Sequence, residues 1–259
     1  MSTAPLPPPH DRFSPLGESY AKFRPTYPRE IFDWLANLID LSPGREVADI
    51  GAGTGLFTQL LLARALRVRA VEPSAPMLEE AIARLSGYDG FTAVVGTAEQ
   101  TNLPATSVDA IFCAQAFHWF NHEAAVAEWH RILRPRGSAV LVWNNIDQSD
   151  LFGRRLADLM KRYAVDGGRT IALALEVQAE NVLFGKSASA RKIFSNRQFM
   201  DYAGFVGRTE SVSYAPKPGD PRFTAMIDEL RALFEQCQSD GQVTLHYKTV
   251  ALVGPVPAP

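Results

Sequence analysis

Cysteine is scarce in this sequence. Cys113 and Cys237 are the two present among 259 residues, and they lie far apart. Two distant thiols build no disulfide framework, so a reducing, cytoplasmic setting is expected. A dominant charge sign is also lacking: 26 Lys and Arg face 28 Asp and Glu, a formal net charge of −2. A generic electrostatic grip on a phosphate backbone is therefore not expected, and nucleic acid is not expected as a partner. No uninterrupted apolar run approaches the ~20 residues of a membrane-spanning helix, and no internal repeat is visible. The opening MSTAPLPPPHDRF has neither the basic nor the apolar region of a signal peptide and reads as an extended, proline-rich arm. Metal-ligand clusters are missing too. His118 and His122 are four apart, but Asn121 reads as a helix start between them and no Cys or carboxylate set completes a site. No metal is expected.

What is present suits one globular domain over 1–259 with a substantial core, at 46% hydrophobic and 21% charged residues. Pro28 opens a helical pattern that places Ile31, Trp34, Leu35 and Leu38 on one face. From Glu46 to Trp143 strands and helices then alternate. Strands are expected at EVADI (Glu46 to Ile50), Val68 to Val71, FTAVV (Phe91 to Val95), VDAIFC (Val108 to Cys113) and SAVLVW (Ser138 to Trp143). Helices are expected at about Thr54 to Arg64, Ala75 to Leu85 and from the N-cap Asn121 to Leu133. This rhythm is that of a doubly wound, mostly parallel α/β sheet. Beyond Trp143 it breaks. Residues 149–203 show helical patterns without a convincing strand and read as a helical cap within the domain. TESVSY (Thr209 to Tyr214), a helix from about Pro221 to Gln238 and VTLHYKTVALVG (Val243 to Gly254) follow.

The most informative stretch is VADIGAGTGLFT (Val47 to Thr58). Gly51, Gly53 and Gly55 follow a strand and open a helix, where glycine lets a ligand approach the backbone closely. One glycine is explained by a tight turn; three are not. The spacing departs from the GxGxxG dinucleotide fingerprint, since Leu56 stands where that pattern wants glycine. Glu72 ends the next strand, where an acid can accept hydrogen bonds from both ribose hydroxyls of a nucleoside. Thr97, Ala98 and Glu99 follow the third strand, near where an adenine would lie.

After the fourth strand comes AQAFHWF (Ala114 to Phe120), three aromatic rings around one histidine. The carboxyl end of a central strand is where open α/β sheets bind ligands. Packing is at least as good an account of Phe117 and Phe120 as substrate contact; His118 and Trp119 lean toward the site.

Taken together, VADIGAGTG, AVEPSAPML, GTAEQTNLP, SVDAIFCAQAFHWF and LRPRGSAVLVW resemble the class I S-adenosylmethionine-dependent methyltransferases in order and spacing. The resemblance implies a seven-stranded Rossmann-like sheet with its last strand antiparallel, which Thr209–Tyr214 and Val243–Gly254 can supply. It implies S-adenosylmethionine as cofactor, with Asp49, Gly51 and Gly53 along its methionine portion and Glu72 at the ribose. Met77 and Ala98-Glu99 would flank the adenine, and the carbonyl of Ala114 or Gln115 would receive the amino group. ESYAKFRPTYP, AQAFHWF, VWNN and HYKTVALVG also resemble a small-molecule subgroup that includes trans-aconitate methyltransferases. In that subgroup an N-terminal segment, here 1–27, folds over the cofactor, which brings in Tyr20, Arg24 and Tyr27. Arg24 is read as a fork for a carboxylate of the cofactor or the substrate. Phe117 and Asn144 join Tyr27 as candidate substrate contacts.

A sulfonium methyl is already activated, so the protein mainly aligns the acceptor and excludes water. A carboxylate acceptor is ionised at neutral pH and needs no base, and the Trp119 indole N–H would orient it. A hydroxyl or amine acceptor would instead use His118 as base. Carboxylate O-methylation of a small molecule is the preferred expectation. A nicotinamide-dependent oxidoreductase and a cofactor-binding protein without turnover remain as alternatives. Oligomeric state is not readable from the sequence.

Overall fold

A computed structural model describes residues 23–165, 175–185 and 189–257. Its seven strands are β1 (Glu46–Ile50), β2 (Arg67–Glu72), β3 (Phe91–Val95), β4 (Val108–Ala114), β5 (Leu133–Ile146), β6 (Ala190–Met200) and β7 (Val243–Pro255). They form one sheet in the order β3-β2-β1-β4-β5-β7-β6, mostly parallel with the last strand antiparallel. The pairs β1–β2, β2–β3, β1–β4 and β4–β5 are all parallel. Strand order reverses between β1 and β4, and that reversal opens a crevice at the carboxyl ends of the two strands.

The chain divides into two compact units. The larger comprises 26–144, 174–194 and 249–259. Along its central strands successive side chains point to opposite faces. Ala48, Ile50, Ile111, Cys113, Leu141 and Trp143 pack on one face, and Val47, Ala110, Phe112, Val140 and Val142 on the other. Helices α1 (Glu30–Leu35), α2 (Leu56–Leu62), α3 (Ala75–Leu85) and α4 (His122–Ile132) belong to this unit. Asn121 caps α4 as its sequence position suggests, its side chain accepting from the Ala124 N–H at 3.4 Å. Glu123 in the first turn and His130 and Arg131 in the last complement the helix dipole. The first helix is shorter than its periodicity suggests, and Leu38 lies beyond it, exposed.

The smaller unit comprises 1–25, 145–173 and 195–248, of which the part from Phe23 is described. Its core joins α5 (Leu151–Tyr163), α7 (Tyr202–Glu210) and α8 (Phe223–Cys237) to Val243, Leu245 and Tyr247 of β7. Asp150 and Asp201 cap α5 and α7 by accepting from the N–H groups of Gly153 and Gly204. A polar relay runs through this unit. Arg208 Nε donates to the Tyr247 hydroxyl at 3.1 Å, Tyr247 donates to Gln198 Oε1 at 3.0 Å, and Gln198 Nε2 donates to the Phe23 carbonyl at 2.9 Å.

Two expectations need correction. Residues 149–203 are not purely helical: after α5 and α6 (Leu175–Leu183) they contain β6. That strand is an edge strand, and its sequence ARKIFSNRQFM buries chiefly Phe194 and Met200. Edge strands carry charge to block further pairing, which erases the alternation that marks a strand in sequence. Conversely, Thr209 to Tyr214 is no strand. Thr209 and Glu210 end α7, and the rest is turn. The hydroxyls of Thr209 and Ser211 donate back to the carbonyls of Phe205 and Arg208, which lets β-branched and small polar residues finish a helix.

Tyr247→Phe should strand the buried Arg208 and the half-buried Gln198 and lower stability by about 1–3 kcal/mol. Urea unfolding reads this directly, and an unchanged midpoint would show that the relay adds nothing.

Candidate active site

The glycine turn hangs from the end of β2. The N–H groups of Gly51 and Ala52 donate to the Val71 carbonyl at 2.9 and 3.1 Å. The Gly53 N–H donates to Glu72 Oε2 at 2.9 Å, and the Ser74 N–H donates to Glu72 Oε1 at 3.0 Å. Glu72 therefore clasps both the turn after β1 and the start of α3. Gly51 has φ +71°, and a Cβ there would come within 2.6 Å of Ala116 Cβ. This position needs glycine for its backbone and for close packing against the segment after β4. Gly53 has φ +56°, and a Cβ there would meet nothing within 4 Å. That side of the turn is open backbone, as a bound nucleoside would require.

Asp49 is buried at the end of β1 and accepts from Thr58 Oγ1 at 2.6 Å. Its other oxygen and the buried Thr54 hydroxyl have no hydrogen-bond partner among the described residues. Burial pushes the Asp49 carboxyl up to about 7; the Thr58 hydrogen bond pulls it down, and the neighbouring Glu72 charge adds to the rise. A buried acid with a spare oxygen beside an open glycine turn suits a ligand that brings positive charge.

Past β4, Gln115 takes φ +59°, and Phe117–Trp119 form one 3-10 turn. Phe117 is fully buried. It stacks on His122 (4.7 Å between centroids) and packs against Trp129 (5.5 Å) and Phe120 (6.1 Å). His122 is bonded to the Phe117 carbonyl at 3.2 Å. The His118 and Trp119 rings lie 4.8 Å apart, both partly buried. His118 Nδ1 is buried without a hydrogen-bond partner among the described residues, and burial, helped by His122, pushes the imidazole pKa down to about 4. Helix α6 packs against α4 and this turn, and Leu183 and Phe184 share the apolar cluster of Phe117 and Trp129.

The other sequence candidates separate clearly. Met77 and Ala98 are buried after β2 and β3, in keeping with apolar walls of a site. Glu99 is already engaged: its Oε1 accepts from the Asn121 N–H at 2.7 Å, joining the loop after β3 to the start of α4. Three expected substrate contacts also have structural engagements. Phe117 is core. Tyr27 is 8% exposed, its ring edge-on to Phe57 at 5.0 Å. Asn144 donates to the Thr26 carbonyl and accepts from Thr249 Oγ1, while its own carbonyl takes the Gln115 amide at 3.1 Å. Those bonds engage both Asn144 and Gln115 side chains in joining the strand ends. Arg24 donates to the Ser211 carbonyl at 3.0 Å. Tyr20 lies outside the described residues. Thr58 is a residue the sequence did not flag, because nothing in its spacing shows that the first turns of α2 face back onto Asp49.

Residues 48–141 match the family described as a methyltransferase domain. Residues 48–141 thus form a methyltransferase domain, with S-adenosylmethionine as its cofactor. An uncharacterized methyltransferase of Mycobacterium tuberculosis is 41% identical over 144 residues, 56% of each chain. The match thus spans about half the length of that relative. An uncharacterized methyltransferase-like protein of Schizosaccharomyces pombe is 28% identical over 234 residues, 90% of each chain. Among solved structures, a candidate type II methyltransferase from Anaeromyxobacter dehalogenans superposes with a TM-score of 0.65 at 24% identity, covering 92% of this chain and all of that one. The nicotinamide reading of the glycine turn is set aside. Resemblance to trans-aconitate methyltransferases in particular stays a matter of sequence motifs.

Two of the shifted groups in the methyltransferase domain, Asp49 and His118, pull stability in opposite directions. Asp49 titrates above its ordinary value, so the fold loses stability as pH rises from 3.8 toward about 7. His118 titrates below its ordinary value, so the fold loses stability as pH falls from 6.5 toward about 4. Asp49→Asn, without cofactor, should be stabilised relative to the parent more at pH 8 than at pH 5. Its own stability should rise with pH between about 4 and 6.5, where His118 then loses its proton cost. Urea midpoints at the two pH values measure both, and a pH-independent difference would contradict the assignment to Asp49.

Proposed function

We propose that the methyltransferase domain methylates a carboxylate oxygen of a small organic acid. The cofactor side of this reading uses Asp49 and the open turn at Gly51 and Gly53 for the methionine portion and Glu72 for the ribose, with Met77 and Ala98 beside the adenine. S-adenosylmethionine, when bound, supplies a methyl group already activated on a sulfonium. What remains for the chain is to hold the acceptor in line and keep water out.

The observation that carries the choice of acceptor is the state of His118. A histidine set in an aromatic turn, with its pKa pushed down to about 4 by burial, is a weak base at neutral pH. That suits an acceptor already ionised rather than a hydroxyl that must lose a proton. Trp119 then orients one carboxylate oxygen through its indole N–H. The neutral His118 ring offers Nδ1 as a further donor or acceptor, depending on tautomer. Phe117, behind them, fixes the turn by packing.

Labelled-methyl transfer from S-adenosylmethionine to a panel of carboxylic acids, phenols, alcohols and amines tests this. The expected product is a base-labile methyl ester. Trp119→Phe should lower kcat/KM by about 10²-fold through lost alignment. His118→Asn should keep measurable transfer and the same pH dependence between 6 and 8. Transfer confined to phenols or alcohols, and abolished in His118→Asn, would overturn the carboxylate reading in favour of a base-assisted one.

A further inference from the structure

Helix α4 starts directly after the aromatic turn, and its first residues are fastened from outside the helix. Asn121 caps it by accepting from the Ala124 N–H. In a capping box the residue three places after the cap is Glu or Gln, and its side chain reaches back to the cap's own N–H. Here that place is held by Ala124, which has no such group. Glu99, from the loop after β3, takes over: its Oε1 accepts from the Asn121 N–H at 2.7 Å. A carboxylate at this end also complements the helix dipole.

Two further rungs join the same loop to the same helix. Glu128 Oε1 accepts from the Thr101 N–H at 2.9 Å and from its hydroxyl, and Thr101 is fully buried. Arg131 Nη2 donates to the Leu103 carbonyl at 2.7 Å. Those two rungs dock the loop on the body of α4. Only the Glu99 rung reaches the helix start, two positions after Trp119 and three after His118 in the chain. On its other side the aromatic turn meets Gly51 through Ala116 and Phe120. The turn is thus held by packing on one side and by Glu99 on the other.

We propose that Glu99 is a positioning residue that, by fixing the Asn121 N–H, sets the turn presenting His118 and Trp119 to the methyl acceptor. It acts through the backbone and not by touching the adenine. The inference rests on the reading of His118 and Trp119 as acceptor-facing, so two of its measurements need no acceptor.

In the cofactor-free full chain, hydrogen–deuterium exchange read by mass spectrometry should be about tenfold or more faster over 117–124 in Glu99→Ala than in the parent, the loss of one charge-assisted hydrogen bond. Glu99→Gln, which keeps an accepting oxygen, should lie between them. Calorimetric titration should show S-adenosylhomocysteine binding Glu99→Ala as it binds the parent. On an acceptor that the parent methylates, kcat should fall about tenfold in Glu99→Ala, with KM for S-adenosylmethionine unchanged. Adding Ala124→Glu separates positioning from capping. It completes the capping box within the helix and should restore the urea midpoint, but it leaves the loop untied, so kcat should stay low. Full return of kcat in that double variant would reduce Glu99 to a helix cap. Weakened S-adenosylhomocysteine binding with unchanged exchange would make it an adenine contact. Either result overturns the proposal. Faster exchange with kcat unchanged, in both Glu99→Ala and Trp119→Phe, would overturn the acceptor reading and leave the Glu99 tether standing.

Discussion

Two hydrogen bonds from backbone to one carboxylate organise this site. Glu72 stands at the end of β2 and accepts from the Gly53 and Ser74 N–H groups, one on each of its oxygens. Charge-assisted bonds of this kind are among the stronger ones a fold can make. They bind the turn after β1 to the start of α3, so the glycine turn is held in a conformation that leaves its Gly53 side open. The acid that the sequence offers for a nucleoside sugar is also the acid that shapes the turn beside it. Asp49, buried behind, feels the same charge, and its high pKa is part of the cost of placing two carboxylates near one strand end.

Contact between the glycine turn and the aromatic turn is equally close. Gly51 lies so near Ala116 and Phe120 that a methyl group would not fit. The end of β1 and the end of β4 are therefore set against each other by packing, at the crevice where the strand order reverses. The aromatic turn in its turn rests on Trp129 and His122 through Phe117, with α6 against it. Such packing makes His118 poor at taking protons and leaves Trp119 partly accessible. Burial, more than the identity of the side chains, separates the roles within four adjacent aromatic residues.

The smaller unit shows the opposite economy. Its core is apolar and helical, but its buried polar groups are joined in a relay from Arg208 to Phe23. Nothing local in the sequence relates Arg24 to Ser211, which lie 187 positions apart. Asn144 makes a similar point in the larger unit. Near the end of β5 it looks available, yet Thr26 and Thr249 meet it from distant parts of the chain.

Local chemistry determined what it could: EVADI, FTAVV and the helix from Ala75 to Leu85 have the residue boundaries read from their patterns, because strand alternation, glycine and capping residues act over a few positions. The glycine turn and Glu72 were legible for the same reason, as was the mostly parallel α/β class. The tertiary structure alone decided the rest. It made β6 from a charged edge segment, turned Thr209–Tyr214 into a helix end, and tied Phe117, Tyr27 and Asn144 into packing and hydrogen bonds with other parts of the chain. Each of those outcomes depends on what a side chain meets from elsewhere in the chain, and a linear pattern holds no record of that contact.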